Sequence, residues 1–174
     1  MDLAEFNPDA RTAAQWTGRK LSGAVRARLE ALAPRAETED GRFTLVHGSP
    51  RYPVWEYILD AGTATENFEL FEAPIGLFGH THVPVIYEQT VDGALRLALA
   101  LDRPFAPDEG RRLINPGSVG QPRDGDPRAS YLLLEPETGA VTFRRIAYDI
   151  DAVQEKILRA GLPSRLAARL DFGW

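Results

Sequence analysis

The three histidines are the side chains of this sequence best suited to metal chemistry. His80 and His82 are separated by one residue and follow the apolar run at residues 75–78. His47 follows a similar apolar run at residues 43–46. Side chains at positions i and i+2 of an extended backbone point to the same face. We therefore expect His80 and His82 to converge on one metal, or to bind one each of two adjacent metals.

All three histidines are predicted to lie where a short buried strand gives way to a loop. In open α/β sheets, binding sites collect in the crevice beyond such strand ends. Neutral imidazole is a good ligand for Zn, Mn, Fe, Co and Ni. The shared context favours a metal site formed by His47, His80 and His82 over the alternative of three unrelated core or surface histidines.

The order of the short motifs around these histidines resembles the calcineurin-like metallophosphoesterase family, most closely its small bacterial YfcE-like and diadenosine-tetraphosphatase-like members. The resemblance covers nearly the whole chain. Its segments are residues 7–11 (Asn-Pro-Asp-Ala-Arg), 46–49 (Val-His-Gly-Ser), 55–57 (Trp-Glu-Tyr), 79–82 (Gly-His-Thr-His), 115–118 (Asn-Pro-Gly-Ser) and 120–128.

This resemblance implies an α/β (α+β) fold, a four-layer α/β/β/α sandwich with mixed sheets, in a single domain over residues 1–174. It also implies hydrolysis of phosphate mono- or diesters by a hydroxide that two divalent ions activate, the ions being Mn, Fe, Zn, Ni or Co. By the same resemblance, His47 and His80 bind one metal and His82 binds the other. No catalytic residue is expected beyond these metal ligands.

The family's N-terminal motifs, Asp-x-His, Gly-Asp and Gly-Asn-His, do not occur ahead of His47 in this sequence. In the family they supply two aspartates, one of them bridging, further ligands and the catalytic acid histidine. Two divalent ions about 3.7 Å apart repel by roughly 18 kcal/mol at an effective dielectric of 20. Three neutral imidazoles cannot offset that repulsion. We therefore expect a domain whose N-terminal metal-binding segment is missing, with at most a partial metal site and little activity alone.

Two further residues are weaker candidates for substrate binding. Arg123 lies in a loop rich in Gly, Pro and Asp, and a guanidinium pairs bidentately with phosphate. The alternative is a salt bridge with Asp124 or Asp126. Asn115 begins an Asn-Pro-Gly turn, and the alternative for it is a turn-forming role.

Composition limits the partners that this chain is expected to bind. A net charge of −5 argues against an electrostatic nucleic-acid footprint, and the absence of cysteine excludes thiolate chemistry. No run of eighteen apolar residues occurs, so we expect a cytoplasmic protein that does not enter membranes. The expected partners are a phosphoester substrate and, through an uncovered sheet edge, other copies of the chain.

Local patterns predict helices capped by Asn7, Ser22 and Asp149. The apolar positions predicted for the second helix are Val25, Leu29, Ala31 and Leu32. A turn is predicted at residues 37–41, a loop at 103–110, and hairpins around Asp92-Gly93 and residues 136–139. Residues 51–73 concentrate aromatic side chains. This segment is predicted to cover the sheet or, alternatively, to form a wall of the substrate pocket.

Two other functions remain open at this point. The first is a non-catalytic binding or interaction protein, a remnant that keeps a partial three-histidine metal site but not the reaction. The second is a hydrolase with a single zinc ion held by His47, His80 and His82. Enzymes with these motifs act on nucleotides, phosphoproteins and small phosphoesters alike, so the motifs do not identify the substrate.

Overall fold

The computed structural model describes residues 6–105 and 110–174. Its chain divides into two compact units, Met1–Ala33 with Tyr148–Phe172, and Pro34–Ala147 with Gly173–Trp174. The loop predicted for residues 103–110 lies partly outside the described residues. That the chain forms a single domain stays a prediction.

Helices make up the regular structure of the first unit, and one further helix belongs to the second. In chain order they are α1 (Pro8–Lys20), α2 (Gly23–Glu30), α3 (Ala61–Phe68, second unit), α4 (Ile150–Arg159) and α5 (Ser164–Ala168), followed by a short 3-10 helix, Arg169–Asp171.

The predicted helix caps are confirmed. The side chains of Asn7, Ser22 and Asp149 each accept a hydrogen bond from the backbone N–H three residues later. Such a bond satisfies one of the N–H groups that a helix start leaves without a partner. The apolar face predicted for α2 is not buried: Val25, Leu29 and Leu32 are exposed.

The second unit contains the sheets. The strands are β1 (Arg35–Glu37), β2 (Phe43–Val46), β3 (Ile75–Leu77), β4 (Val85–Thr90), β5 (Gly93–Arg96), β6 (Arg112–Asn115), β7 (Ala129–Leu134) and β8 (Val141–Ile146). Six strands form one sheet in the order β1-β2-β3-β6-β4-β5, while β7 and β8 form a two-stranded antiparallel sheet. Strands β2, β3 and β6 are mutually parallel and the outer pairings are antiparallel. The predicted mixed α/β fold is confirmed.

Side chains alternate between the two faces of the six-stranded sheet, as the period of two in a strand requires. On one face, Leu113 and Tyr87 pack with Phe68 of α3 and with Phe71. On the other face, the core contains residues of both sheets: Phe43, Ile75, Ile86, Ile114, Val141 and Phe143. This unit therefore has three layers: α3, the six-stranded sheet and the two-stranded sheet.

Two local predictions are confirmed with a boundary shifted by one residue. The turn predicted at residues 37–41 begins one residue later, because Arg35–Glu37 pairs antiparallel with β2. Three polar or small residues carry no strand pattern of their own, so only this pairing makes them a strand. The hairpin turn at Asp92 is shifted by one residue, because Gly93 pairs with Thr90 and so starts the return strand.

Among the residues that the structure describes, no helix combines the length and the apolar character needed to cross a membrane.

Candidate functional site

His47 and His80 follow two strands that lie side by side. Strand β2 ends at Val46, β3 ends at Leu77, and the two strands are parallel. The backbone N–H of Gly79 donates a hydrogen bond of 2.9 Å to the carbonyl of His47, which holds the two strand ends together. The predicted strand–histidine–loop arrangement is therefore present, at the carboxyl edge of the parallel strands, where sites in α/β sheets collect.

The two imidazoles meet at this edge. His47 Nε2 lies 2.9 Å from His80 Nδ1, and the ring centroids are 4.8 Å apart with the planes at 64°. Two nitrogens bound at about 2.0–2.1 Å to one ion are about 2.9 Å apart at a right angle and about 3.4 Å apart at the tetrahedral angle. The two nitrogens are within hydrogen-bond distance, with the donor and the acceptor set by the tautomers, and the same spacing is compatible with two neighbouring positions around one metal ion.

The histidine loop does not have the extended backbone that we expected. His80 and His82 have φ angles of 63° and 60°, in the left-handed region. Side chains at i and i+2 therefore do not share a face by strand geometry. Non-glycine residues with positive φ are uncommon and tend to occur at functional sites, where the surroundings over-determine them.

Asn115, the last residue of β6, stabilises this loop conformation. Its amide nitrogen donates to the Gly79 carbonyl at 2.8 Å and to the Thr81 hydroxyl at 3.0 Å, while its amide oxygen accepts from the Gly117 N–H at 2.9 Å. The side chain is fully buried. These contacts support the turn-forming role of Asn115 and show that it also positions the histidine loop. They use both the donor and the acceptor groups of its amide, which leaves little hydrogen-bonding capacity for a substrate.

His82 is oriented by a different contact. Its Nδ1 lies 2.7 Å from the backbone oxygen of Gln121. Because a carbonyl oxygen only accepts, Nδ1 carries the proton, and the lone pair of the neutral ring is on Nε2. A backbone carbonyl commonly fixes metal-binding histidines in this way.

The pKa values of both imidazoles are lowered, which favours the neutral form that binds a metal ion. Burial lowers the pKa of His47. Burial also lowers the pKa of His80, and the nearby charges of His47, Arg123 and His82 lower it further, against a backbone hydrogen bond with Trp55 that raises it. A ligand with a low pKa does not have to release a proton when it binds a metal ion near neutral pH.

Residues 48–58, here called the aromatic loop, border the imidazole pair. Tyr57 stacks on His80, with ring centroids 4.0 Å apart and an interplanar angle of 29°. The prediction that residues 51–73 cover the sheet is confirmed in part, and the alternative of a substrate-pocket wall stays a prediction. Ile58, Phe68 and Phe71 are buried in the core that covers the sheet, whereas the aromatic residues nearest His47 are exposed: Tyr52, Trp55 and Tyr57.

Arg123 lies in residues 116–128, here called the arginine loop. Its guanidinium donates to the Gln121 side-chain oxygen at 3.0 Å, and its backbone N–H donates to the His82 carbonyl at 3.3 Å. The alternative of a salt bridge with Asp124 or Asp126 was wrong, because Asp124 pairs with Arg145 and Asp126 pairs with Arg128. The Arg123 guanidinium is thus hydrogen-bonded to a neutral amide, and its charge acts on His80.

The neighbouring carboxylates are used elsewhere. Glu56 accepts hydrogen bonds from Ser49, Arg51 and Asn67, and Asp60 caps α3. Within residues 6–105 and 110–174, no group of three or more His, Cys, Asp or Glu side chains is arranged to hold a metal ion. Of the predicted ligands, the structure therefore brings His47 and His80 together and gives His82 a separate partner.

Sequence reasoning missed two residues that position this site. Gln121 links the arginine loop to His82 through its backbone oxygen and to Arg123 through its side chain. Asn67, on α3, is fully buried, donates to Glu56 and accepts from the Arg51 N–H. Gln121 lies in a segment that carried the family resemblance, but Asn67 carries no such signal.

Comparison with a family of known proteins gives a match over most of the chain. The model of the calcineurin-like phosphoesterase superfamily domain matches residues 19–139. This range includes all three histidines, Asn115 and Arg123.

Individual relatives agree with this match. The protein MJ0912 of Methanocaldococcus jannaschii is 30% identical over 98% of this chain and 69% of its own length. A crystal structure of a metallophosphoesterase from Sphaerobacter thermophilus has 43% sequence identity and a TM-score of 0.87, over 100% of this chain and 71% of that one. The hypothetical protein PH1004 of Pyrococcus horikoshii shares the fold, with a TM-score of 0.73 at 22% identity, over 98% of this chain and 62% of that one.

Proposed function

This chain belongs to the calcineurin-like phosphoesterase superfamily, and we propose that it is the part of a metal-dependent phosphoesterase that holds the substrate against one metal. The single observation that supports this most strongly is the convergence of His47 and His80 to 2.9 Å beside Arg123. The substrate is a phosphate mono- or diester.

Each residue of the site has a role in this proposal. In this chain His47 and His80 would hold one ion, for which we propose manganese among Mn, Fe, Zn, Ni and Co. In a complete two-metal centre, His82 would bind the second ion through Nε2. When bound, the ions supply Lewis-acid activation of the phosphoryl group and of the attacking water. Arg123 pairs with the phosphate oxygens, because its guanidinium is always charged and presents parallel N–H groups.

The activity of this chain by itself is expected to be low. The donors of the site are neutral imidazoles, and the nearby carboxylate of Glu56 is committed to Arg51, Ser49 and Asn67. A pair of divalent ions requires negative charge between them, and its absence costs roughly 18 kcal/mol at an effective dielectric of 20. A cytoplasmic location and self-association through a sheet edge stay predictions.

The test measures turnover and phosphate binding together. With Mn²⁺, we expect hydrolysis of p-nitrophenyl phosphate and bis-p-nitrophenyl phosphate well below about 1 s⁻¹, and Mn²⁺-dependent binding of inorganic phosphate in a calorimeter. His80→Ala removes the Mn²⁺ dependence and Arg123→Gln weakens phosphate binding, with Arg128→Gln, a partner of Asp126, as the control. Turnover near 1 s⁻¹ or above that His80→Ala abolishes would show that the expected low activity is wrong.

The same experiment separates the alternatives. A binding or interaction remnant takes up metal ions, but its affinity for phosphate does not depend on them. A single-zinc hydrolase turns over with one equivalent of Zn²⁺ and loses all activity in each of the three histidine variants.

A further inference from the structure

We infer that the aromatic loop is a stacking surface for a planar aromatic group on the phosphoester substrate, either an aryl group or a nucleobase. This inference rests on the proposed function and adds a substrate class to it. The surface consists of the side chains of Tyr52, Trp55 and Tyr57.

Exposure of these three rings is the first observation. Tyr52, Trp55 and Tyr57 are 60%, 47% and 45% exposed, although they lie within six residues of each other. Single exposed apolar residues are ordinary on protein surfaces, but a group of large aromatic residues next to a polar site is typical of a binding surface. Three of the chain's sixteen Phe, Trp and Tyr residues are concentrated here.

The loop lies directly against the imidazole pair. The Gly48 N–H donates to the Pro53 carbonyl, and a Cβ placed on Gly48 would lie 2.9 Å from the Tyr52 carbonyl and 3.1 Å from the Trp55 nitrogen. Gly48 immediately follows His47 in the chain. Since Tyr57 also stacks on His80, the aromatic loop touches both imidazole segments.

Buried polar contacts hold the loop in this conformation. Glu56 accepts from the Ser49 hydroxyl at 2.6 Å, from Arg51 Nε at 2.9 Å and from the Asn67 amide at 2.8 Å. The Tyr52 N–H donates to the Ser49 hydroxyl at 2.9 Å. The loop is therefore organised before any ligand arrives, which reduces the entropy that a ligand would have to offset on binding.

The two sides of the site differ in charge. The Arg51 guanidinium pairs with Glu56 and Glu66 and also lies 5.6 Å from the centroid of the Tyr52 ring, so its charge is balanced by the two carboxylates. The guanidinium of Arg123 donates to the neutral Gln121 amide, and its positive charge lowers the pKa of His80. A ligand with a phosphate at one end and a flat aromatic group at the other matches this division.

The test compares ligands that differ by one aromatic group. Calorimetry with Mn²⁺ measures the affinities for AMP and ribose 5-phosphate, and for phenylphosphonate and methylphosphonate. Stacking on an aromatic side chain is worth about 1–3 kcal/mol per base, so we expect the aromatic member of at least one pair to bind about tenfold tighter. A preference in both pairs identifies any aromatic group, and a preference for AMP alone identifies the nucleobase.

Matched variants show whether the loop causes the preference. The double variant Tyr52→Leu/Trp55→Leu removes two rings, and Tyr52→Phe/Trp55→Phe keeps them; both leave Tyr57 in place against His80. We expect the preference to fall in the first and to stay at the wild-type level in the second. An undiminished preference in the leucine variant would overturn the inference.

The two proposals fail in different ways. If ribose 5-phosphate and methylphosphonate bind with Mn²⁺ as tightly as their aromatic counterparts, the stacking surface is disproved while the phosphoesterase proposal stands. If none of the four ligands binds in a Mn²⁺-dependent way, both the proposed function and this inference are disproved.

Discussion

The aromatic loop and the arginine loop both border the imidazole pair, but different contacts hold them. The aromatic loop is fixed from inside by Glu56, whose side chain is only 12% exposed. The arginine loop is fixed by ion pairs near its end, in which Arg145 binds Asp124 and Arg128 binds Asp126. One loop places the ring of Tyr57 against His80, and the other places the charge of Arg123 near the same imidazole.

This difference suggests that each loop supplies one half of substrate recognition. The buried network of the aromatic loop leaves no carboxylate for a metal, since Glu56 is used to shape the loop. The arginine loop uses its aspartates in the same way, which leaves Arg123 outside those ion pairs. Charged groups near the site therefore stabilise the loops, and the side chains that could bind a metal ion there are the imidazoles.

Replacing Glu56 should have the largest effect on stability. Glu56→Ala leaves Arg51, Ser49 and Asn67 without their shared acceptor, and removal of one partner of a buried pair costs about 3–5 kcal/mol. Since Arg51 is partly exposed, we expect about 3 kcal/mol of lost unfolding free energy, measured by urea denaturation.

A control for Glu56 is Glu66, the second carboxylate that pairs with Arg51. Its side chain is 61% exposed, and pairs of this kind contribute about 0–1 kcal/mol. Glu66→Ala should therefore cost less than about 1 kcal/mol. Equal losses in the two variants would contradict a loop held together by Glu56.

The pH dependence of stability follows from the same residue. Burial opposes ionisation of Glu56, but hydrogen bonds from Arg51, Ser49 and Asn67 outweigh it and hold the pKa below its usual value of 4.5. A carboxyl with a depressed folded-state pKa stabilises the fold above its unfolded-state pKa, and this stabilisation is lost as the pH falls. The difference in unfolding free energy between the wild type and Glu56→Ala should shrink below about pH 4.5.

Gly48→Ala should have the next largest effect. The added methyl group would meet three backbone atoms of the aromatic loop at 2.9, 3.0 and 3.1 Å. Overpacking of this kind costs about 1–3 kcal/mol, and it should displace the loop from His47. Thermal unfolding of Gly48→Ala can be compared with that of Gly23→Ala, where nothing lies within 4 Å and the melting temperature should not fall. An unchanged melting temperature for Gly48→Ala would mean that the close approach of the aromatic loop backbone to Gly48 is not needed for stability.

The arginine loop should respond less strongly. Asp124→Ala removes one partner of Arg145, whose side chain is 4% exposed, but Arg145 retains Asp126 and the carbonyl of Arg128. We expect a loss of about 1–2 kcal/mol, since hydrogen bonds to charged groups contribute about 1.5–3 kcal/mol. Glu155→Ala, in an exposed helical pair with Arg159, should cost less than about 0.5 kcal/mol. A loss for Asp124→Ala as large as that for Glu56→Ala would remove the contrast between the two loops.

Local signals in the sequence predicted much of the fold and the family. Apolar runs that end in His-Gly or Gly-His placed His47 and His80 at strand ends, and cap residues marked the starts of α1, α2 and α4. Family membership, inferred from motif order, is confirmed by the match over residues 19–139.

Contacts between distant residues could not be predicted in the same way. The left-handed conformation of His80 and His82 depends on Asn115, more than thirty residues away. The shape of the aromatic loop depends on Asn67 of α3, and the acceptor for Arg123 is Gln121 rather than an aspartate. None of these pairings has a periodicity or a motif of its own.

Calorimetric titration with Mn²⁺ tests most directly whether His47 and His80 together hold a metal ion. The wild type should bind one ion with an affinity that falls at least tenfold in both His47→Ala and His80→Ala, while His82→Ala retains it. Far-ultraviolet circular dichroism checks that each variant is folded. Folded His47→Ala or His80→Ala protein that binds Mn²⁺ as tightly as the wild type would contradict the account.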